Sequence, residues 1–202
     1  GQIRMCAAAD GEVVTTLEAG GKEKDEVYGL QMLSADGLLA AGAGNQVQQW
    51  DLTRGTCVAR TTFETAESGF IFGGADRNPG GKAYLFSLDA RGRALCAALS
   101  DGTVRLMDSQ TLQTVGILSE HAKRRAPVFG VALSQRSPLL ATSDAQGAVL
   151  LWDLRQMEKG PLAETQRGGG VHGLAFVPGL GDSSEFLAAG ANDRTLALHE
   201  TK

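Results

Sequence analysis

Apolar residues in this chain come in short runs. None keeps an i, i+3, i+4, i+7 spacing for three helical turns, so the pattern predicts strands and no helix. Three segments share the order Val, ring, Gly, branched aliphatic: Val27-Tyr28-Gly29-Leu30, Val128-Phe129-Gly130-Val131 and Val171-His172-Gly173-Leu174. After each comes a run of small residues: Leu38-Leu39-Ala40-Ala41-Gly42, Leu139-Leu140-Ala141-Thr142-Ser143 and Phe186-Leu187-Ala188-Ala189-Gly190. A degenerate copy, Tyr84-Leu85-Phe86-Ser87-Leu88 with Leu95-Cys96-Ala97-Ala98-Leu99, lies between the first and second. A third, alternating run occurs five times and ends at Cys6, Trp50, Met107, Trp152 and His199. Asp-Gly, Arg-Gly, Gln-Gly and Ser-Pro pairs bound these runs, as turns bound strands.

The ends of the third run lie 44, 57, 45 and 47 residues apart. One four-stranded β-propeller blade takes about 40–45 residues, so the period predicts an all-β propeller of four-stranded antiparallel blades. The long interval is accounted for by an insertion at 64–81. Complete blades are expected at about 26–63, 82–120 and 127–165, with partial blades at 1–18 and 171–202. The Ala and Gly runs suit strands crowded by neighbouring sheets, while Phe86, Phe129 and Phe176 would fill the gaps between sheets. Seventeen strands do not divide into blades of four, so we expect a portion of a longer propeller.

Composition narrows the function classes. The net charge is −4 and aromatic residues make up 5%, which argues against direct nucleic-acid binding. No apolar run approaches the roughly 20 residues of a membrane span, so no membrane insertion is expected. Three cysteines without a paired spacing point to a reducing compartment, the cytosol or the nucleus.

Trp50-Asp51 and Trp152-Asp153, with Met107-Asp108 as a worn copy and Asp101-Gly102-Thr103-Val104-Arg105-Leu106 as turn and strand, carry a resemblance. The chain resembles the WD-repeat (WD40-type) β-propeller family, which implies a ring of seven blades and a scaffold that joins proteins in a multiprotein complex. In that family an Asp six residues before the Trp ties the turn to the blade. Asp101 and Asp193 match that position, whereas Gly44 and Gln146 do not. His121 stands where the family has its structural His, preceded by Glu120 in place of Gly. By this reading the Asp, His, Ser or Thr, Trp network is incomplete in every blade.

Catalytic chemistry finds little support. His121, His172 and His199 fall in different repeats, and HExxH, Gly-x-Ser-x-Gly and paired-Cys motifs are absent. Gly168-Gly169-Gly170 lacks the Lys-Ser or Lys-Thr of a phosphate loop. We therefore expect no enzyme, no cofactor and no metal. Surface features remain. Lys123, Arg124 and Arg125 could pair with an acidic peptide, and Phe70 and Phe72 in the insertion could bury against a partner. The WDxR form of Trp152-Asp153-Leu154-Arg155 resembles that of WD-repeat substrate receptors of cullin-RING ubiquitin ligases, which would give Arg155 an adaptor-binding role. The other alternative is an enzyme or small-ligand binder at the central channel.

Overall fold

Short apolar runs separated by tight turns pair most readily with their sequence neighbours, and every sheet here is a meander of that kind. The structure, a computed structural model, describes residues 1–19, 26–65, 81–179 and 185–201. The first sheet holds β1 (Gln2–Cys6) and β2 (Val13–Glu18). The second holds β3 (Val27–Ser34), β4 (Leu38–Ala43), β5 (Gln46–Asp51) and β6 (Thr56–Thr62). The third holds β7 (Leu85–Arg91), β8 (Ala94–Leu99), β9 (Val104–Asp108) and β10 (Thr114–Leu118). The fourth holds β11 (Val128–Leu133), β12 (Leu139–Asp144), β13 (Ala148–Asp153) and β14 (Ala163–Gln166). The last holds β15 (Val171–Pro178), β16 (Glu185–Ala191) and β17 (Leu196–Thr201). All pairings are antiparallel, the arrangement of propeller blades.

Face-to-face packing between successive sheets makes the core. In β8, Leu95, Ala97 and Leu99 pack toward the β3–β6 sheet, while Cys96 and Ala98 pack toward the β11–β14 sheet. A strand covered on both faces loses the apolar–polar alternation, which is why Leu95–Leu99 reads as one continuous apolar run. Each buried Leu contributes about 1.5–3 kcal/mol relative to exposure. First strands also lock together through polar groups. The backbone N–H of Leu133 donates to Asp89 Oδ2 at 2.7 Å and that of Val131 to Ser87 Oγ at 3.4 Å, which satisfies donors on the inner edge of β11. Burial raises the Asp89 carboxyl above the usual aspartate range, against the pull of the Leu133 and Ala90 amides.

The Asp that follows each Trp or Met has a local role. Asp51 Oδ1 accepts from the N–H groups of Thr53 and Arg54, and Asp108 Oδ1 from those of Gln110 and Thr111. Both close the turn into the fourth strand as Asx turns. One expectation needs correction: a short helix, α1, occupies Glu120–Lys123, and a 3-10 turn occupies Met157–Lys159. Neither is long enough to show a helical period, so the apolar pattern could not reveal them.

Candidate functional site

At one end of the last four sheets the second residue of the first strand carries a ring. Tyr28, Phe86, Phe129 and His172 come from β3, β7, β11 and β15, and together they form a continuous arc. Ring centroids lie 6.0 Å apart for Tyr28–Phe86, 5.4 Å for Phe86–Phe129 and 4.4 Å for Phe129–His172. The first two contacts are edge-on and the third is stacked, the geometries that aromatic quadrupoles favour. A shared backbone feature produces the arc. Each first strand shifts register across its ring residue: between Val27 and Gly29, Leu85 and Ser87, Val128 and Gly130, and Val171 and Gly173. A bulge at that position re-aims one side chain out of the pleat.

Phe86 and Phe129 are therefore not gap fillers. They are half-exposed members of the arc, whereas Phe176 does pack against the neighbouring sheet. Tyr28 is 52% exposed, and its hydroxyl donates to Glu26. That bond, with burial and the adjacent negative charge adding to it, raises the Tyr28 phenol above its ordinary value. Asn192 Nδ2 lies 3.2 Å from His172 Nε2 at the other end of the arc. The Val-ring-Gly pattern was the available signal for this site.

Beside the arc, α1 brings the basic triplet to the connection between two blades. His121 anchors it, at 2% exposure. The indole N–H of Trp152 donates to Thr142 Oγ1 at 3.0 Å, and Thr142 Oγ1 lies 2.8 Å from His121 Nε2. His121 Nδ1 lies 2.8 Å from Asp144 Oδ2. With the proton on Nδ1, every donor in this chain has one acceptor: indole to hydroxyl, hydroxyl to imidazole, imidazole to carboxylate. Burial opposes ionisation of Asp144, but the His121 bond and the Ala148 and Gln146 amides outweigh it and hold the carboxyl below the usual range.

This corrects the expectation that no blade completes the network. The blade of β11–β14 does so with Asp144, eight residues before Trp152, because the carboxylate reaches His121 from the end of β12. Elsewhere the place of Thr142 is taken by Ala41, Ala97 or Ala189, which offer the chain no hydroxyl. Trp50 finds a different acceptor, Gln48 Oε1 at 3.1 Å. Asp101 and Asp193 bind the amide and hydroxyl of Thr103 and Thr195 in their own turns.

Close approach of backbone also fixes the connection. Gly102, with φ +79°, sits so tightly under α1 that a Cβ there would come within 2.7 Å of Ala122 Cα and of the Ala126 carbonyl. Within the triplet, Lys123 pairs with Glu120, and Arg124 makes a two-pronged contact with Glu164. Among the described residues Arg125 has no ion pair; it is exposed and left-handed at φ +55°. Arg155 is spent locally: Nε and NH2 bind Asp153 at 2.9 and 2.6 Å, holding the Asp153 carboxyl down at about 2. Phe70 and Phe72 lie outside the described residues. Among the described residues, no group of three His, Cys, Asp or Glu side chains is placed to hold a metal ion.

Residues 112–153, from the turn before β10 through the buried network to Trp152-Asp153, match the family described as WD domain, G-beta repeat. Over 110 residues the chain is 30% identical to histone-binding protein MSI1 of Saccharomyces cerevisiae, covering 54% of this chain and 25% of that protein. The chain thus spans about a quarter of the length of this curated relative. A chain of the crystal structure of mitotic checkpoint complex superposes with a TM-score of 0.70 at 18% identity, covering 92% of this chain and 50% of that one. At that identity the likeness is one of fold.

Proposed function

We propose that this WD-repeat β-propeller is a non-catalytic scaffold in a multiprotein complex, and that the ring arc with Arg125 is where it grips a partner protein. The observation that carries the reading is the arc itself. Four rings on successive blades are turned out by the same bulge, and Tyr28 at one end is 52% exposed. Such rings give large contact area at little rotamer cost and are enriched where interfaces concentrate their energy. The buried network beneath α1 pre-organises the rim, which lowers the ordering cost of binding. Because Lys123 and Arg124 are neutralised internally, Arg125 is the member of the triplet left to steer an acidic group of the partner. Phe70 and Phe72 remain part of the proposed surface on sequence grounds. A reducing compartment, cytosol or nucleus, suits three free thiols, of which Cys96 is buried.

The description of the yeast relative makes a histone the first partner to assay. Binding of core histones, and of proteins captured with the full chain, should be compared between wild type and two variants. Phe86→Ala with Phe129→Ala should weaken a true partner about tenfold or more, chiefly through faster dissociation. Arg125→Glu should slow association and flatten its salt dependence while leaving the melting temperature unchanged. Partners that survive both changes undiminished would move the interface to the opposite face. Arg155 would then be the residue to test, as an adaptor contact of the ubiquitin-ligase kind.

A further inference from the structure

The first strands β7, β11 and β15 pack side by side, but the polar links between them stop after the first pair. Ser87 and Asp89 of β7 accept the N–H groups of Val131 and Leu133 on β11. β11 and β15 keep the same register against their second strands, so Leu174 and Phe176 take the places of Val131 and Leu133. Their N–H groups therefore face back toward β11 in the same way. On β11, however, Gly130 and Ala132 stand where β7 has Ser87 and Asp89, and neither carries an acceptor. Among the described residues nothing accepts from the N–H of Leu174 or Phe176.

A recess of about 350 Å³ opens along these three strands. Leu88, Val131, Leu133 and Phe176 give it apolar walls, and Asp89 gives it a polar one. Apolar walls with a few placed polar groups are the make-up of small-ligand pockets. Between β3 and β7 the gap is closed by contact instead: a Cβ on Gly29 would come within 2.7 Å of Leu88 Cβ.

The polar groups select the occupant. Two donors without an acceptor call for an oxygen. Asp89 lines the same recess, and Arg91, two positions on, donates its NH1 to the carbonyls of Ser134 and Ser137. A carboxylate ligand would meet the Asp89 charge at close range, in a setting whose burial already raises that carboxyl. A carboxamide oxygen takes the two donors without adding charge. Its NH2 group can donate to the lone pairs that the Ala90 and Leu133 amides leave on Asp89.

We propose that this recess binds a small apolar ligand bearing a neutral carboxamide, whose oxygen takes the N–H groups of Leu174 and Phe176 as Asp89 takes that of Leu133. The site does not depend on the partner-binding role of the ring arc.

Benzamide and its charged isostere benzoate should be titrated into the full chain, followed by calorimetry and by the backbone amide resonances of Leu174 and Phe176. Saturable benzamide binding that shifts both resonances is expected, with benzoate at least tenfold weaker. Ala132→Asp supplies β15 with the carboxyl that β7 supplies to β11, and should weaken benzamide at least tenfold. The assignment is overturned by any of four results: no saturable benzamide binding, binding that leaves both resonances unmoved, binding undiminished in Ala132→Asp, or benzoate binding as tightly as benzamide. If Ala132→Asp does not fold, Ala175→Phe, a change at an exposed position lining the recess, decides in its place by the same tenfold criterion.

Discussion

The blades of β3–β6 and β11–β14 carry the same Trp-Asp pair in the same register, yet they hold their tryptophans in different ways. Trp50 is covered by Ile3 and Leu17 of the first sheet and satisfied by Gln48, two residues before it on the same strand. Trp152 donates instead into a buried chain that runs through Thr142 and His121 to Asp144, and so links three segments: β12, β13 and α1. In one blade the indole is a packing element with a local partner. In the other it is one end of a device that fixes the connection carrying Arg125. The motif alone does not say which, because the difference lies in Ala41 against Thr142 on the second strand.

The largest effect that would test this contrast is at the tryptophans themselves. Trp152→Ala should cost about 3–5 kcal/mol, at the upper end because it also removes the donor to Thr142. Trp50→Ala should fall at the lower end of the same range, since Gln48 lies near its own strand and can relax. Chemical denaturation of both variants checks the order, and equal losses would dissolve the distinction. Next in size is Thr142→Val, a near-isosteric change that orphans both the Trp152 N–H and His121 Nε2. At about 1–3 kcal/mol for each group left unsatisfied in a buried site, it should destabilise the protein clearly despite preserving volume. Loosening of α1 should follow, read as faster amide hydrogen exchange at Ala122–Arg125 than at matched loops.

These residues also show how far the sequence could be read. Short runs at a regular period with turn pairs between them were enough for an all-β propeller, because strand, turn and repeat are local signals. The Trp-Asp ends of β5 and β13 and the Asp101-Gly102 turn were legible for the same reason. The network was misread because its acid was sought at Gln146, six residues before Trp152, while the carboxylate that reaches His121 comes from Asp144 at the end of β12. Side-chain reach across a turn is a three-dimensional property, and a fixed offset does not capture it. The ring arc was half visible: Val-ring-Gly recurs in the sequence, but where the rings point depends on a bulge that appears only once the register shifts are known.

A third and smaller effect separates the blades by pH. The Asp144 carboxyl is held below its usual value in the folded protein. A depressed carboxylate lends stability that is present above the unfolded aspartate value and lost as pH falls through the folded one. Asp144→Asn, which keeps an oxygen acceptor but no charge, should therefore melt below wild type near neutrality, and the gap should close as the pH is lowered past the ordinary aspartate range. A gap between wild type and Asp144→Asn that stays constant from neutral to acid pH would mean the His121 bond does not depend on the charge.

The smallest expected effect sits on the other side of the comparison. Gln48 is 4% exposed; its side-chain oxygen accepts from the Trp50 indole, and its amide donates to the Ala19 carbonyl at 2.7 Å. Gln48→Ala removes these bonds and a third, from the Gln48 amide to Gln46 Oε1 at 3.2 Å, but the Trp50 N–H can reach water through the margin of a tryptophan that is 7% exposed, against 2% for Trp152. A hydrogen bond that water can replace is worth about 0.5–1.5 kcal/mol net, well under the penalty for an orphaned buried donor. The loss should therefore be smaller than for Thr142→Val. A double-mutant cycle of Gln48→Ala with Trp50→Phe should give a coupling near one hydrogen bond, while Thr142→Val with His121→Gln should couple more strongly. If the two couplings come out equal, the buried chain beneath α1 is no more cooperative than a single pair, and the rigidity we assign to the Arg125 rim must come from the Gly102 contact instead.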